Sequence, residues 1–284
     1  FTDIDGHTYV DFCLGDTGSM TGHSPNATVA AVREQVGKGI TAMLPTEDAA
    51  IVSGLLRDRF GLPLWQFTVS ATDANRHVIR YSRMITGRSK IVVIDRCYHG
   101  SVDETFATLD AAGNTVKREG NIGAPVDLSE TTRVVEFNNL AAMEAALAHG
   151  DVAAILMEPA MTNIGIVLPE KGYLEAVGKL AKKYGAVWII DETHTISVGP
   201  GGMTADRGLK PDFLTIGKAI AGGIPTGTFG MTHKIADDIK RMVELEIIDT
   251  GGIGGTLAGN ALSLASMRAT LSEVLTQKNF DHMI

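Results

Sequence analysis

Short apolar runs bounded by polar or glycine residues alternate with longer stretches of helical period along most of this chain. Leu64–Ser70, Ile91–Ile94, Arg133–Glu136, Val152–Met157, Val187–Ile190 and Phe213–Ile216 read as strands. Between them, helical patterns run from Thr72 to Thr86, Asn139 to Ala148 and Lys171 to Tyr184. Ahead of the strands, Asn26–Lys38 sets Val29, Val32 and Val36 on one helical face with Asn26 as its expected cap, and Thr46 caps a helix that ends at Phe60 before Gly61-Leu62-Pro63. The chain opens on a hairpin turning at Asp5-Gly6. Ala111–Ser129 has no period and reads as irregular surface chain. Past Gly230, a helix near Ile235–Leu245 and a long one from Asn260 to Leu275 are expected. Strands interleaved with helices predict an α/β fold whose mainly parallel sheet is covered on both faces.

Composition narrows the partners and leaves the chemistry open. The chain has 284 residues, 44% of them hydrophobic, which permits a sizeable core. A net charge of −8 without long single-sign runs argues against nucleic acid or an anionic membrane as main partner. No apolar stretch is long enough to span a bilayer. Cys13 and Cys97 form no disulfide framework, so a cytoplasmic setting is expected. Both ends read as cut, as if this were the central part of a longer protein.

The candidate chemistry gathers where apolar runs stop. Val-Trp-Ile-Ile ends at Asp191, and Phe-Leu-Thr-Ile-Gly ends at Lys218. Polar groups ending buried parallel strands lie where open α/β sheets bind ligands. A lysine partly withdrawn from water loses its proton more readily and suits carbonyl condensation and proton shuttling, although a lone strand-end lysine is usually a surface residue. Asp191 admits three readings: a partner for a cationic ring nitrogen, a metal ligand or a turn cap. Metal is the weakest, since Glu192 and His194 bring no third ligand at a recognised spacing. Ser70-Ala71-Thr72 turns a strand into a helix with small residues, which suits a phosphate or an ordinary cap, and Gly255-Thr256 offers a second such turn. Tyr98 could plate a flat ligand, and Glu158-Pro159 ends another strand with Asn163 shortly after. Neither a G-x-G-x-x-G nor a G-x-x-x-x-G-K-[ST] run is present. An amine, an acid, an aromatic plate and two phosphate clamps together form the set that pyridoxal 5′-phosphate requires.

Three stretches carry a family resemblance: D-I-D-G-H-T-Y-V-D-F with G-H-S-P, L-K-P-D-F-L-T-I-G-K-A-I-A-G-G-I-P-T-G-T-F-G, and G-T-L-A-G-N. The chain resembles class III pyridoxal-phosphate aminotransferases, nearest to the glutamate-1-semialdehyde aminomutase and β-amino-acid aminotransferase branch. That resemblance implies a fold-type I transferase, with Lys218 as Schiff-base lysine and Asp191 on the pyridine nitrogen. It implies Ala71 and Thr72 at the phosphate, Tyr98 on the ring and Asn163 near the phenolic oxygen. Thr256 would reach the phosphate of a neighbouring subunit, hence a homodimer with shared sites. Departures include Ala71 for a glycine, Asp73 for a glutamate and Thr193 for the valine beneath the ring. Ile196–Gly202 replaces a run that carries an arginine in many relatives, so no substrate-binding arginine is visible. The implied organisation is an N-terminal hairpin and helix over residues 1–45, a cofactor-binding large domain over 46–258, and the start of a truncated small domain over 259–284. The expected reaction moves an amino group from an amine donor to an oxo acid or aldehyde. The alternatives are an aminomutase or epimerase with the same cofactor, and a non-catalytic relative.

Overall fold

The structure, a computed structural model, describes residues 1–123, 126–242 and 251–284. Its centre is a seven-stranded sheet of β1 (Leu64–Thr68), β2 (Lys90–Ile94), β5 (Thr132–Val135), β6 (Val152–Met157), β7 (Val187–Asp191), β8 (Phe213–Ile216) and β9 (Gly227–Met231). The spatial order is β1-β9-β8-β7-β6-β2-β5. β9 runs antiparallel to both neighbours, and every other pairing in the sheet is parallel. A small antiparallel pair, β3 (Ala107–Leu109) and β4 (Thr115–Lys117), stands apart from it.

Side chains that alternate across the sheet feed a separate core on each face. On β8, Phe213 joins the core under α3 (Ala71–Thr86), whereas Leu214 and Ile216 join a second core with Val52 and Leu56 of α2 (Glu47–Phe60). α4 (Leu140–Ala148) and α5 (Tyr173–Tyr184) line the first core through Met143, Leu147, Leu174 and Val177. Residues near the C-terminus complete the second core, with Leu264, Met267, Leu271 and Phe280 all buried in it. The sheet between the two cores is buried on both sides, as parallel sheets require.

Several expectations need correction. β9 was not foreseen, because two glycines in Gly-Thr-Phe-Gly-Met depress its strand signal. Packing explains them: a Cβ on Gly230 would lie 2.7 Å from the Trp65 ring, and one on Gly227 would lie 2.3 Å from the Ser70 carbonyl carbon. The supposedly irregular Ala111–Ser129 contains β4 and a 3-10 turn over Leu128–Glu130. In α1 (Asn26–Lys38), Pro25 holds the cap position, so Asn26 is already helical. Its buried residue is Thr28, bonded to Thr270 Oγ1 at 2.8 Å, while Val36 is 50% exposed. The long C-terminal helix is α-helical over Ala261–Ala269 and widens into a π-turn over Thr270–Val274. Arg59 takes up the carbonyls of Leu271 and Leu275 that this widening turns outward, at 2.5 and 2.8 Å. The helix near Ile235 is α7 (His233–Met242); the expected continuation to Leu245 lies outside the described residues. No described helix is long and apolar enough to cross a membrane.

The Gly227 contact is testable, because it opposes backbone that cannot rotate away. Gly227→Ala should cost about 1–3 kcal/mol, read as a lower urea midpoint at an unchanged slope. An unaltered midpoint would contradict the packing described.

Candidate active site

The parallel strands β1, β2, β6, β7 and β8 all send their C-terminal ends to one cavity of about 340 Å³. Asp191, the last residue of β7, is only 4% exposed yet keeps three hydrogen-bond donors. Its Oδ2 accepts from Asn75 Nδ2 and from His99 Nδ1, each at 2.9 Å, and its Oδ1 accepts from the Thr193 amide at 3.0 Å. Burial alone pushes this carboxyl up. The bond and charge of His99, with the bonds from Thr193 and Asn75, outweigh it and bring the pKa down to about 2. For buried His99, burial again works against the charge, but Cys97 and Asp191 beside it win and hold the imidazole well above its ordinary range. The result is a buried ion pair whose carboxylate, facing the cavity, is ionised near neutral pH.

Asn75 is itself fully engaged. Its second Nδ2 proton goes to the His99 carbonyl at 3.1 Å, and its Oδ1 accepts from Thr215 of β8 at 2.7 Å. It sits on the first full turn of α3, whose start is the other wall of the cavity. There Ser70 caps the helix, accepting from the Asp73 amide at 3.2 Å and bonding the Asp73 carboxylate at 3.0 Å. Among the described residues nothing bonds the amides of Ala71 and Thr72, so the positive end of α3 stays available for an anion. Gly100, at φ +78°, lets the loop after β2 close onto Thr72, where a Cβ would lie 2.0 Å from the hydroxyl oxygen.

Lys218 follows Gly217 with a left-handed φ of +48°, a conformation that costs a non-glycine residue about 1–2 kcal/mol. Its Nζ lies 2.8 Å from His194 Nε2 and 3.3 Å from Asp16 Oδ2. Leu14, Gly15, Asp16 and Thr17 all have left-handed φ, which curls this N-terminal segment over the lysine. Leu14 and Cys13 donate their amides to Asp11 Oδ1 at 2.8 and 2.9 Å and anchor the curl.

The remaining candidates divide. Tyr98, 43% exposed, and Thr193 line the same cavity as Ala71, Thr72, Asp191 and Lys218. Asn163 does not: it is exposed, and its side chain donates to the Arg96 carbonyl at 3.1 Å. Thr256 is exposed and lines a separate cavity of about 350 Å³ with Met43, Leu44, Phe67 and Leu264. Glu192 points away from the ligand space. It accepts from Thr195 Oγ1, the Met203 and Thr204 amides and Thr204 Oγ1, beside α6 (Gly202–Asp206), and so braces the loop after β7. Asn75, His99 and Asp16 belong to the site without having been singled out for it, and Glu158, read as a strand end, and His194, read as a weak metal candidate, join them there. A polar Asn in the buried stripe of α3 was the one available signal for the first of them. Among the described residues, no arginine lines the cavity.

Three buried polar atoms of lining residues have no hydrogen-bond partner among the described residues: Thr193 Oγ1, Glu158 Oε1 and His99 Nε2. Burial pushes Glu158 up towards its neutral form, and its other oxygen accepts from Thr162 at 2.5 Å. Other buried polar atoms outside the cavity share this state, but these three gather on one wall, where a polar ligand or water can meet them.

Comparison with known proteins bears on the same residues. The sequence model described as Aminotransferase class-III matches residues 1–283. The glutamate-1-semialdehyde 2,1-aminomutase of Anaeromyxobacter dehalogenans (strain 2CP-C) is 33% identical over 275 residues, covering 95% of this chain and 62% of that protein. Among solved structures, a glutamate-1-semialdehyde-aminomutase from Pseudomonas aeruginosa PAO1 has a TM-score of 0.96 at 52% identity, over 99% of this chain and 63% of that one. A variant of that protein was solved in complex with PMP. An omega-transaminase from Sphaerobacter thermophilus has a TM-score of 0.88 at 28% identity, over 99% of this chain and 65% of that one. The chain thus spans less than two thirds of the length of these relatives.

The His99–Asp191 pair has a pH signature. The folded pKa of Asp191 lies below its unfolded value, so its contribution is present above roughly pH 4 and is lost as pH falls towards about 2. The folded pKa of His99 lies above its unfolded value, so its contribution is complete below roughly pH 6.5 and is lost as pH rises through the folded value. His99→Gln keeps a donor but no charge. It should lower stability in urea unfolding at pH 6 by about 1–3 kcal/mol and abolish the alkaline decline. A variant that keeps the wild-type alkaline decline would show that His99 is not the group responsible.

Proposed function

The chain belongs to the class III aminotransferase family, and from that premise we propose that it forms most of a pyridoxal-phosphate enzyme that moves an amino group between neighbouring carbons of one small amino-carbonyl molecule. The observation that carries this reading is the meeting, in one cavity, of the Lys218 amine with a carboxylate, Asp191, that is buried and held ionised.

The lining residues fit that cofactor. The free amides of Ala71 and Thr72 suit a phosphate, Tyr98 offers an aromatic face, and Thr193 Oγ1, His99 Nε2 and Glu158 Oε1 await polar partners. When bound, pyridoxal phosphate supplies an aldehyde that condenses with amines and a ring that withdraws electrons from the carbon bearing the nitrogen. Asp191, unable to take up a proton near neutral pH, would keep one on a ring nitrogen placed against it. Lys218 Nζ would move a proton between the substrate carbon that bears the nitrogen and C4′ of the bound cofactor. Thr193 would form the floor of the site and could bond what rests on it, which a valine cannot. Thr256, with exposed Leu257 and Met43 beside it, suits a contact with a second copy of the chain, in keeping with a homodimer that shares its sites. Asn163, turned to the Arg96 carbonyl, has no role in this reading unless its loop moves.

Transfer between two molecules, expected first from the sequence, takes second place here, because curated aminomutases match 95% or more of this chain at 32–34% identity. The likeness to an omega-transaminase keeps it as the second reading. Lys218 and Asp191 lining one cavity support a catalytic role over binding alone.

Two measurements on the full-length protein test the proposal. Borohydride reduction after addition of pyridoxal phosphate should fix the label on Lys218, and a label elsewhere would overturn the assignment. Given glutamate 1-semialdehyde alone, the enzyme should move the amine to the adjacent carbon with no added oxo acid. Turnover only when a separate oxo acid is supplied would select the second reading. Lys218→Ala should lower the rate by roughly 10²–10⁴-fold from lost proton transfer.

A further inference from the structure

His194, which follows Thr193, touches the Lys218 amine, the one lysine amine lining the cavity among the described residues. Its Nε2 lies 2.8 Å from Lys218 Nζ, and its Nδ1 lies 2.7 Å from Thr17 Oγ1. The charged groups facing the ring come from three elements. Lys218 stands on the turn after β8 and Asp191 ends β7, while Asp16, in the N-terminal curl, places Oδ1 3.9 Å from Nε2 and Oδ2 3.3 Å from Nζ. Burial first, and then the Lys218 charge, push the imidazole below its ordinary range, against the opposing pull of Asp16 and Asp191. A neutral ring in this setting has one consistent tautomer, with Nδ1–H donating to Thr17 Oγ1 and the Nε2 lone pair turned to the amine.

We propose that His194 orients the Lys218 amine and accepts its proton whenever Nζ bonds to a carbonyl carbon, a role that deepens the proposed function and rests on it for the identity of the carbonyl. The step balances as follows. Nζ reacts in its neutral form: its lone pair forms the N–C bond, the carbonyl π electrons pass to oxygen, which is protonated by water, and an N–H bond breaks with its electrons left on Nζ. The proton goes to Nε2, and the imidazolium so formed is stabilised by Asp16 and discharges to water on the exposed side of that residue. The low basicity of the ring makes it a conduit rather than a store, so it is ready again after each transfer. Thr17 keeps the accepting nitrogen pointed at the amine, which gives the strained curl at Leu14–Thr17 a purpose.

The test uses formaldehyde as the carbonyl probe on the cofactor-free, full-length protein, with timed borohydride quenching and mass mapping of each lysine. In His194→Gln, which keeps an acceptor but cannot carry the proton, labelling of Lys218 at neutral pH should slow on the order of a hundredfold, with exposed Lys182 unchanged as internal control. The deficit should shrink as pH falls and the wild-type imidazole becomes protonated, and added imidazole should restore the rate in His194→Gly. Equal rates in wild type and His194→Gln would overturn the proposal. So would a deficit that is the same at every pH and is not rescued, since that is what lost packing alone produces. Pyridoxal phosphate uptake by the wild type, followed by absorbance, separates failure of the cofactor reading from failure of this one.

Discussion

A carboxylate removed from water must be fully paired, and the architecture of this site follows from meeting that demand at Asp191. Its donors come from α3, from the loop after β2 and from the residue two places on in its own chain. Asn75 then links the same knot to β8 through Thr215. Four elements are thereby fixed relative to one another at the point where the sheet opens. Breaking such a buried pair from one side typically costs about 3–5 kcal/mol, so the position is held far more firmly than a surface ion pair would be.

Around this rigid point the walls are set by close approach. Gly100, Gly217 and Gly227 each lack a Cβ where the start of α3 presses against neighbouring chain. The turn carrying Ser70, Ala71 and Thr72 is therefore held between three backbones, and its free amides cannot swing away. The lysine is held differently, by a strained backbone and by polar contacts to His194 and Asp16. One side of the cavity is clamped and the other is tethered, which suits a site where one group stays fixed and the amine has to move.

Much of this was legible in the chain, and the gaps have physical causes. Buried strands such as Val152–Met157 announced themselves because both faces are apolar, and Asp191 and Lys218 stood out as polar residues stopping such runs. β9 was hidden because the Trp65 ring and the Ser70 carbonyl leave room only for glycine, and glycine carries no strand signal. Asp16 and Thr17 were invisible as site residues because left-handed φ at non-glycine positions leaves no compositional mark. His99 and Asn75 were missed because their role is to satisfy a distant residue, and no local period records a contact between positions 75 and 191. Asn163 owed its place near a cofactor to resemblance, and Thr256 was read first as a second phosphate turn and then by resemblance as reaching a neighbouring subunit; among the described residues neither lines the cavity that holds Asp191 and Lys218.

The first turn of α3 carries the free amides of Ala71 and Thr72 at one end and Asn75 at the other. It therefore works as a caliper: with a rise of about 1.5 Å per residue, it spans roughly 5 Å between the anion end of the site and the brace of the buried acid. Inserting or deleting a single residue there would turn Asn75 by about 100° around the helix axis, away from Asp191 and Thr215 together. Side chains on the outer face of α3, such as Arg76 and Arg83, bond other segments but do not enter this spacing. The residue count of that one turn does, so its length, and not only its composition, is a structural requirement of the site.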